Sequence, residues 1–259
     1  MLGAIAGDVI GSIYEWNNIK STIFPLFSLR SRPTDDSVMT LAMAEWIMDK
    51  QDLVTCLQKW GRLYPNAGYG GSFKQWLKNT NPQPYNSWGN GSAMRVSPVG
   101  WCYDTLEETL EQAKASAEVT HNHPEGIKGA QSVAAAIFMA RKGSNKEEIK
   151  NYLEENFFGY DLTYPLDKLR QTYSFDVSCQ GSVPPAIRAF LESEDWESAV
   201  RLAISIGGDS DTIACIAGSI AEAYYQGMPE HIKTGVFLRL DENMTTMVER
   251  FYEYLAKKS

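Results

Sequence analysis

The stretch PTDDSVMTLAMAEWI, residues 33–47, sets the class of fold. Met39, Ala42, Met43, Trp46 and Ile47 recur at i, i+3, i+4, i+7 and i+8, which puts them on one face of a helix. Thr34 stands where an N-cap belongs, with a hydroxyl that accepts from the open N–H groups of a first turn. Asp35 and Asp36 fall in that turn, where the helix dipole favours negative charge. The same period returns in Ile127, Ala130, Ala134, Ile137 and Phe138, and in Ala199, Val200, Ala203 and Ile204. Ser144 with Glu147 reads as a capping box, and SVPP, residues 182–185, as a helix start with proline in its first turn. Period-two alternation is nearly absent, and the Asn-Gly of GNGS, residues 89–92, does not lead into a strand pattern.

Gly3, Gly7 and Gly11 are spaced four apart, and Ala214 with Gly218 and Ala217 with Ala221 form small stripes in a later helix. Such stripes let helix backbones approach closely in a crowded core. No linker, low-complexity tract or repeat interrupts the chain, so the expectation is one all-α domain over residues 1–259. The polar, Pro- and Gly-rich segment 61–92 is long for a connection, and long ordered loops tend to carry function.

At 259 residues, with 44% apolar and 22% charged residues, the chain is long enough to bury a core without staples. The net charge of −8 disfavours a nucleic-acid target, which calls for a basic face. Cys56, Cys102, Cys179 and Cys215 are widely spaced and form no C-x-x-C pair, so they read as free buried thiols. The N-terminal run is apolar but lacks a basic segment and is broken by Asp8, so neither a signal peptide nor a membrane span is read. A cytoplasmic location follows by default.

A second acidic stretch, SIGGDSDTIA, residues 205–214, also opens a helix. The dipole explains either stretch alone. Together they supply Asp35, Asp36, Asp209 and Asp211 with the hydroxyls of Thr34 and Thr212, and no His or Cys. An all-oxygen set suits a hard cation, Mg²⁺ or Mn²⁺, rather than zinc. Two divalent ions cancel the repulsion of four carboxylates, and a pair of such ions can acidify a water held between them.

These residues carry a resemblance. The chain resembles the ADP-ribosylglycohydrolase family, which includes the dinitrogenase-reductase-activating enzyme. The likeness lies in an ordered set: GAIAGDVIGSIYE at 3–15, TDDS at 34–37, GYGGS at 68–72, GNGSAMR at 89–95, TH at 120–121 and GGDSDT at 207–212. It implies a compact, mainly orthogonal helical bundle with a cleft for two Mg²⁺, or Mn²⁺ in some members. By motif, the metal ligands are Thr34, Asp35, Asp36, Asp209, Asp211 and Thr212. Ser37 stands where many relatives have Thr, at a position not counted as a ligand.

The resemblance also makes Glu15 the acidic residue that approaches the scissile bond. From the residues alone, Tyr14 and Trp16 would raise its pKa if they shield it. Gly68, Tyr69, Gly70, Gly71 and Ser72 become the loop for the substrate diphosphate, with Ser72 as cap of the following helix. The same resemblance implies that Asn90, Gly91 and Ser92 line the ribose and that His121 lies near the substrate. Arg95 reads equally well as a structural partner.

The implied reaction is metal-dependent hydrolysis of the glycosidic bond between ADP-ribose and a modified acceptor, an ADP-ribosylated protein side chain or other conjugate. Its transition state is oxocarbenium-like, with Glu15 or Asp36 as acid or base. Two rivals stand beside it: a hydrolase of another nucleotide-linked small molecule, and a non-catalytic relative that binds ADP-ribose. The filled ligand positions favour activity. The pattern sets neither the acceptor linkage nor an oligomeric state.

Overall fold

The structure, a computed structural model, describes residues 1–258. Its helices in chain order are α1 (Leu2–Gly11), α2 (Asp35–Asp49), α3 (Leu53–Leu63), α4 (Gly71–Lys78), α5 (Gly91–Met94), α6 (Ser97–Cys102), α7 (Leu106–Glu118) and α8 (Pro124–Arg141). They continue as α9 (Lys146–Asn156), α10 (Leu166–Thr172), α11 (Cys179–Glu192), α12 (Trp196–Ser205), α13 (Ser210–Tyr224), α14 (Glu230–Phe237) and α15 (Glu242–Lys258). The only strand-like pairing among the described residues is an isolated bridge between Gly89 and Ser178. The all-α expectation holds.

α13 is the axis of the bundle. All its residues except Tyr224 are buried, and it packs against α1, α12, α11 and α8. α1 is buried throughout and lies against α13 along its glycines. A Cβ on Gly3 would stand 2.3 Å from the Gly218 carbonyl, on Gly7 2.1 Å from the Ala214 carbonyl, and on Gly11 2.5 Å from the Asp211 Cα. Backbone meets backbone there, so the stripes read in the sequence are a close helix crossing. One cluster of buried apolar side chains runs from Met1 to Phe251 and contains most of the helical faces read around Met39, Ala130 and Ala199; Trp46 and Ile127 pack against its edge, and Phe138 falls outside it. The four cysteines are free and buried. Among the described residues no helix is long and apolar enough to cross a membrane.

Three local readings shift. The capping box of α9 is formed by Asn145 and Glu148, one residue beyond Ser144 and Glu147: Asn145 accepts from the Glu148 N–H while Glu148 accepts from the Asn145 N–H. α11 starts at Cys179 under a Ser178 cap, which leaves Pro184 and Pro185 inside the helix rather than in its first turn. Proline removes an i to i−4 bond; the Gly181 carbonyl freed by Pro185 accepts instead from the Tyr173 hydroxyl at 2.8 Å. The N-cap of α4 is Gly70, not Ser72, and no side chain closes that helix start.

Candidate active site

The close α1–α13 crossing determines what sits at the top of both helices. Asp8, in α1, is fully buried and points at the start of α2. Its carboxylate accepts from the Thr34 N–H (2.8 Å), the Thr34 hydroxyl (2.6 Å), the Ser37 N–H (3.0 Å) and the Ser37 hydroxyl. It therefore closes a helix N-terminus from another element, which satisfies open N–H groups and suits the dipole. Thr34 caps α2 as expected, and its hydroxyl lies between Asp8 and Asp36. Asp35 and Asp36 follow in the first turn, with the Asp35 N–H on the Ala67 carbonyl at 2.9 Å.

The second acidic stretch enters α13 through Gly207 (φ +78°) and Gly208 (φ +75°), a left-handed pair that only glycine adopts without strain. Asn18 clamps this turn. Its amide accepts from the Gly208 N–H at 2.7 Å and donates toward the carbonyls of Gly208, Tyr14 and Glu15. One side chain thus ties the Glu15 turn to the Asp209 turn. Asp209 is oriented by Asn90, whose amide donates to it at 2.7 Å. The Thr212 hydroxyl lies 3.3 Å from Asp36, which joins the two stretches across 176 residues of chain.

Six carboxylates therefore converge: Asp8, Glu15, Asp35, Asp36, Asp209 and Asp211. None of them forms an ion pair among the described residues. Burial pushes the pKa of Asp8 and Asp209 up, and burial with the neighbouring carboxylates drives Asp36 and Asp211 well above the usual range. Asp35 is pushed up to about 7, first by burial and then by the charge of Asp8. Glu15 is also pushed up to about 7, by burial and then by the charge of Asp209. The desolvation expected for Glu15 is present, but Trp16 opposes it through a hydrogen bond and is itself 76% exposed.

Ligand oxygens of Asp8, Asp36 and Asp211 lie within 4.8 Å of one another, and so do those of Glu15, Asp209 and Asp211. The two clusters share Asp211. The Asp36 Oδ1 is buried and has no hydrogen-bond partner, a costly state for a carboxylate oxygen. An all-oxygen donor set, an orphaned buried oxygen and uncompensated charge together fit hard cations.

The clusters open into a cleft of about 630 Å³. Glu15, Asp35, Asp36, Asp209, Asp211 and Thr212 line it, as do Gly68, Gly70, Gly71, Ser72, Asn90, Gly91 and His121. Gly68 (φ +119°) sits against Asp35: a Cβ there would come within 3.0 Å of the Asp35 Oδ1. Nothing lies within 4 Å of a Cβ on Gly70 or Gly71, so the uncapped N-terminus of α4 faces open cleft. Three expected residues lie behind the wall rather than on it. Thr34 is buried against Asp8, Tyr69 is buried on Phe73, and the Ser92 hydroxyl donates to the Gly126 carbonyl at 2.7 Å.

The ADP-ribosylglycohydrolase family model matches residues 1–259. The chain belongs to the ADP-ribosylglycohydrolase family. ADP-ribosylhydrolase ARH3 of Homo sapiens is 28% identical over 304 residues, covering 87% of this chain and 84% of that protein. The ADP-ribosylarginine hydrolase Tri1 of Pseudomonas putida (strain GB-1) is 25% identical over 263 residues, covering 88% of this chain and 71% of that protein. A solved structure described as an ADP-ribosylglycohydrolase-related protein complex superposes with a TM-score of 0.71 at 22% identity, covering 97% of this chain and 96% of that chain.

In this ADP-ribosylglycohydrolase chain, sequence reasoning missed Asp8, Asn18 and the rim. Asp8 read only as the residue that breaks an apolar run. The available signal was a carboxylate with no polar face around it, since a lone charge on an apolar helix needs a partner elsewhere. Nothing local marked Asn18. Trp16 and Phe175 line the cleft and stack on each other at 5.2 Å between centroids, a pairing across 159 residues that no motif announces.

Proposed function

We propose that this chain hydrolyses the glycosidic bond between ADP-ribose and an ADP-ribosylated acceptor, a protein side chain or a related conjugate, with two divalent cations, Mg²⁺ or Mn²⁺. The observation that carries the reading is the pair of carboxylate clusters sharing Asp211 in the wall of a cleft that the uncapped N-terminus of α4 also lines. Asp8, Asp36 and Asp211 would hold one ion; Glu15, Asp209 and Asp211 would hold or face the other. Asp35 and Thr212 line the same cleft, and Thr34, set behind its wall with its hydroxyl 3.3 Å from Asp36, completes the ligand candidates. When bound, such ions supply positive charge for ribose hydroxyls and acidify a water.

The chain's own residues supply the rest. The N–H groups of the α4 first turn, opened by Gly70 and Gly71, can donate to the diphosphate oxygens without a side chain in the way. Asn90 keeps Asp209 in register, and Asn18 keeps Glu15 beside it. Glu15 is half-buried on the cleft wall, and burial and then the Asp209 charge push its pKa up to about 7 while no cation is bound, which makes it the carboxylate best placed to give or take a proton. Asp36 is almost fully buried with one orphaned oxygen, which suits a cation ligand better than a proton carrier. The carboxylates around the distal ribose stabilise the positive charge that develops on an oxocarbenium-like sugar.

A linkage panel tests the reading. Arginine-, serine- and base-linked ADP-ribose substrates are incubated with the protein and Mg²⁺, and free ADP-ribose is measured. Release from at least one protein-type linkage supports it. Turnover of a soluble nucleotide conjugate alone points to the small-molecule reading.

A further inference from the structure

We propose that Arg95 and Thr120 are positioning residues that fix His121 as the neutral tautomer with its proton on Nε2, aimed into the cleft as a donor to a substrate oxygen. The identity of that oxygen rests on the ADP-ribose reading; the tautomer does not.

Arg95 is buried, has no carboxylate partner among the described residues and lines the cleft. Its Nη2 donates to the Ser116 carbonyl at 2.7 Å and to the Thr120 hydroxyl oxygen at 2.9 Å. A guanidinium only donates, so Thr120 must accept from it. The Thr120 hydroxyl hydrogen then has one partner among the described residues, the His121 Nδ1 at 2.7 Å. A relay from Arg95 through Thr120 to Nδ1 makes Nδ1 the acceptor. A neutral imidazole whose Nδ1 accepts carries its proton on Nε2.

The backbone holds this geometry, because the Thr120 and His121 N–H groups both bond to the Ala117 carbonyl behind α7. Burial, and then the Arg95 charge, keep the His121 pKa well below its ordinary value, so the ring stays neutral. The other titratable group facing the ring is Tyr85, at 6.0 Å between centroids. Nε2 looks toward glycine: a Cβ on Gly91 would lie 3.0 Å from it and a Cβ on Gly89 3.7 Å. Both glycines line the cleft, and no protein group accepts from Nε2 among the described residues.

The test reads the tautomer directly. The full chain is labelled with ¹⁵N-histidine; it holds three histidines, so His121 is assigned by its loss in His121→Gln. Expected is a single Nε2-protonated form, unchanged to pH 5.5. Thr120→Val, which keeps the shape but removes the hydroxyl, should give a tautomer mixture and weaken ADP-ribose binding about tenfold, the loss of one aligned hydrogen bond. Thr120→Ser should restore both. Arg95→Met, checked for an intact melt, should reproduce the mixture. An Nδ1-protonated wild type overturns the proposal, as does Thr120→Val with tautomer and affinity unchanged. Wild type that binds no ADP-ribose overturns the substrate reading instead, while the spectra still decide the relay.

Discussion

Asp35 lets the cost of the carboxylate cluster be measured. Its pKa is raised from 3.8 to about 7 in the folded chain. Between those values the native state binds more protons than the unfolded chain, so stability falls as pH rises through this window. At ~1.4 kcal/mol per unit, Asp35 alone removes up to about 4 kcal/mol between pH 4 and pH 8. Asp36, Asp211, Asp8 and Asp209 are shifted in the same direction and add to the slope. Glu15 is half in solvent, and screening makes it a smaller part. His121, with its depressed pKa, works the other way, gaining stability as pH rises toward its unfolded value. Comparing wild type with Asp35→Asn cancels that contribution. In chelator, melting by calorimetry should show wild type losing about 5–10 °C more than Asp35→Asn from pH 5 to pH 8, from about 2.7 kcal/mol over that window at ~2–4 °C per kcal/mol for a chain of this size. Adding Mg²⁺ at a hundred times its Kd should return about 2.7 kcal/mol to wild type at pH 8, and much less at pH 5, where protons compete for the same oxygens. Equal pH slopes for the two proteins in chelator, or a wild type at pH 8 indifferent to Mg²⁺, would refute the reasoning.

Other substitutions probe the scaffold. Asp8→Asn places an amide where four donors converge, so it should lower stability by about 2–3 kcal/mol in chemical denaturation and weaken Mn²⁺ binding by calorimetric titration. Gly7→Val puts side-chain atoms into the Ala214 carbonyl; it should cost about 3 kcal/mol or more and lower Tm accordingly. Asn18→Ala frees the Glu15 turn from the Gly208 turn. It should cut kcat about 10- to 100-fold in an ADP-ribose release assay, since misplaced catalytic groups lose rate steeply, with a Tm loss of only a few degrees.

Much of this architecture was legible in the chain because it repeats locally. Helical faces follow from apolar spacing, and the Gly3–Gly7–Gly11 stripe foretold a close crossing, since small residues at that spacing have few other uses. The two acidic stretches advertised themselves by pairing carboxylates with hydroxyls at helix starts. What stayed hidden depends on long-range geometry. Asp8 belongs to the cluster only because α1 passes the N-terminus of α2, 26 residues further on, and no local rule contains that crossing. Asn18 looks like any loop amide until Gly208 folds beside it. Asn145 and Ser144 are both good caps, and only the backbone decides which one turns out of the helix. Pro184 and Pro185 misled because the compensating donor, Tyr173, lies outside the helix that they interrupt.

The central claim is that two cations bound around Asp211 make the cleft cleave an ADP-ribosyl bond. Its most direct test is ADP-ribose release from an ADP-ribosylated protein, followed in one preparation with Mg²⁺, after chelation, after Mg²⁺ is restored, and in Asp211→Asn, which removes the carboxylate common to both clusters. The account predicts release that stops with chelator, returns with Mg²⁺ and is absent from the variant. Release that continues in chelator, or survives in Asp211→Asn, would contradict it.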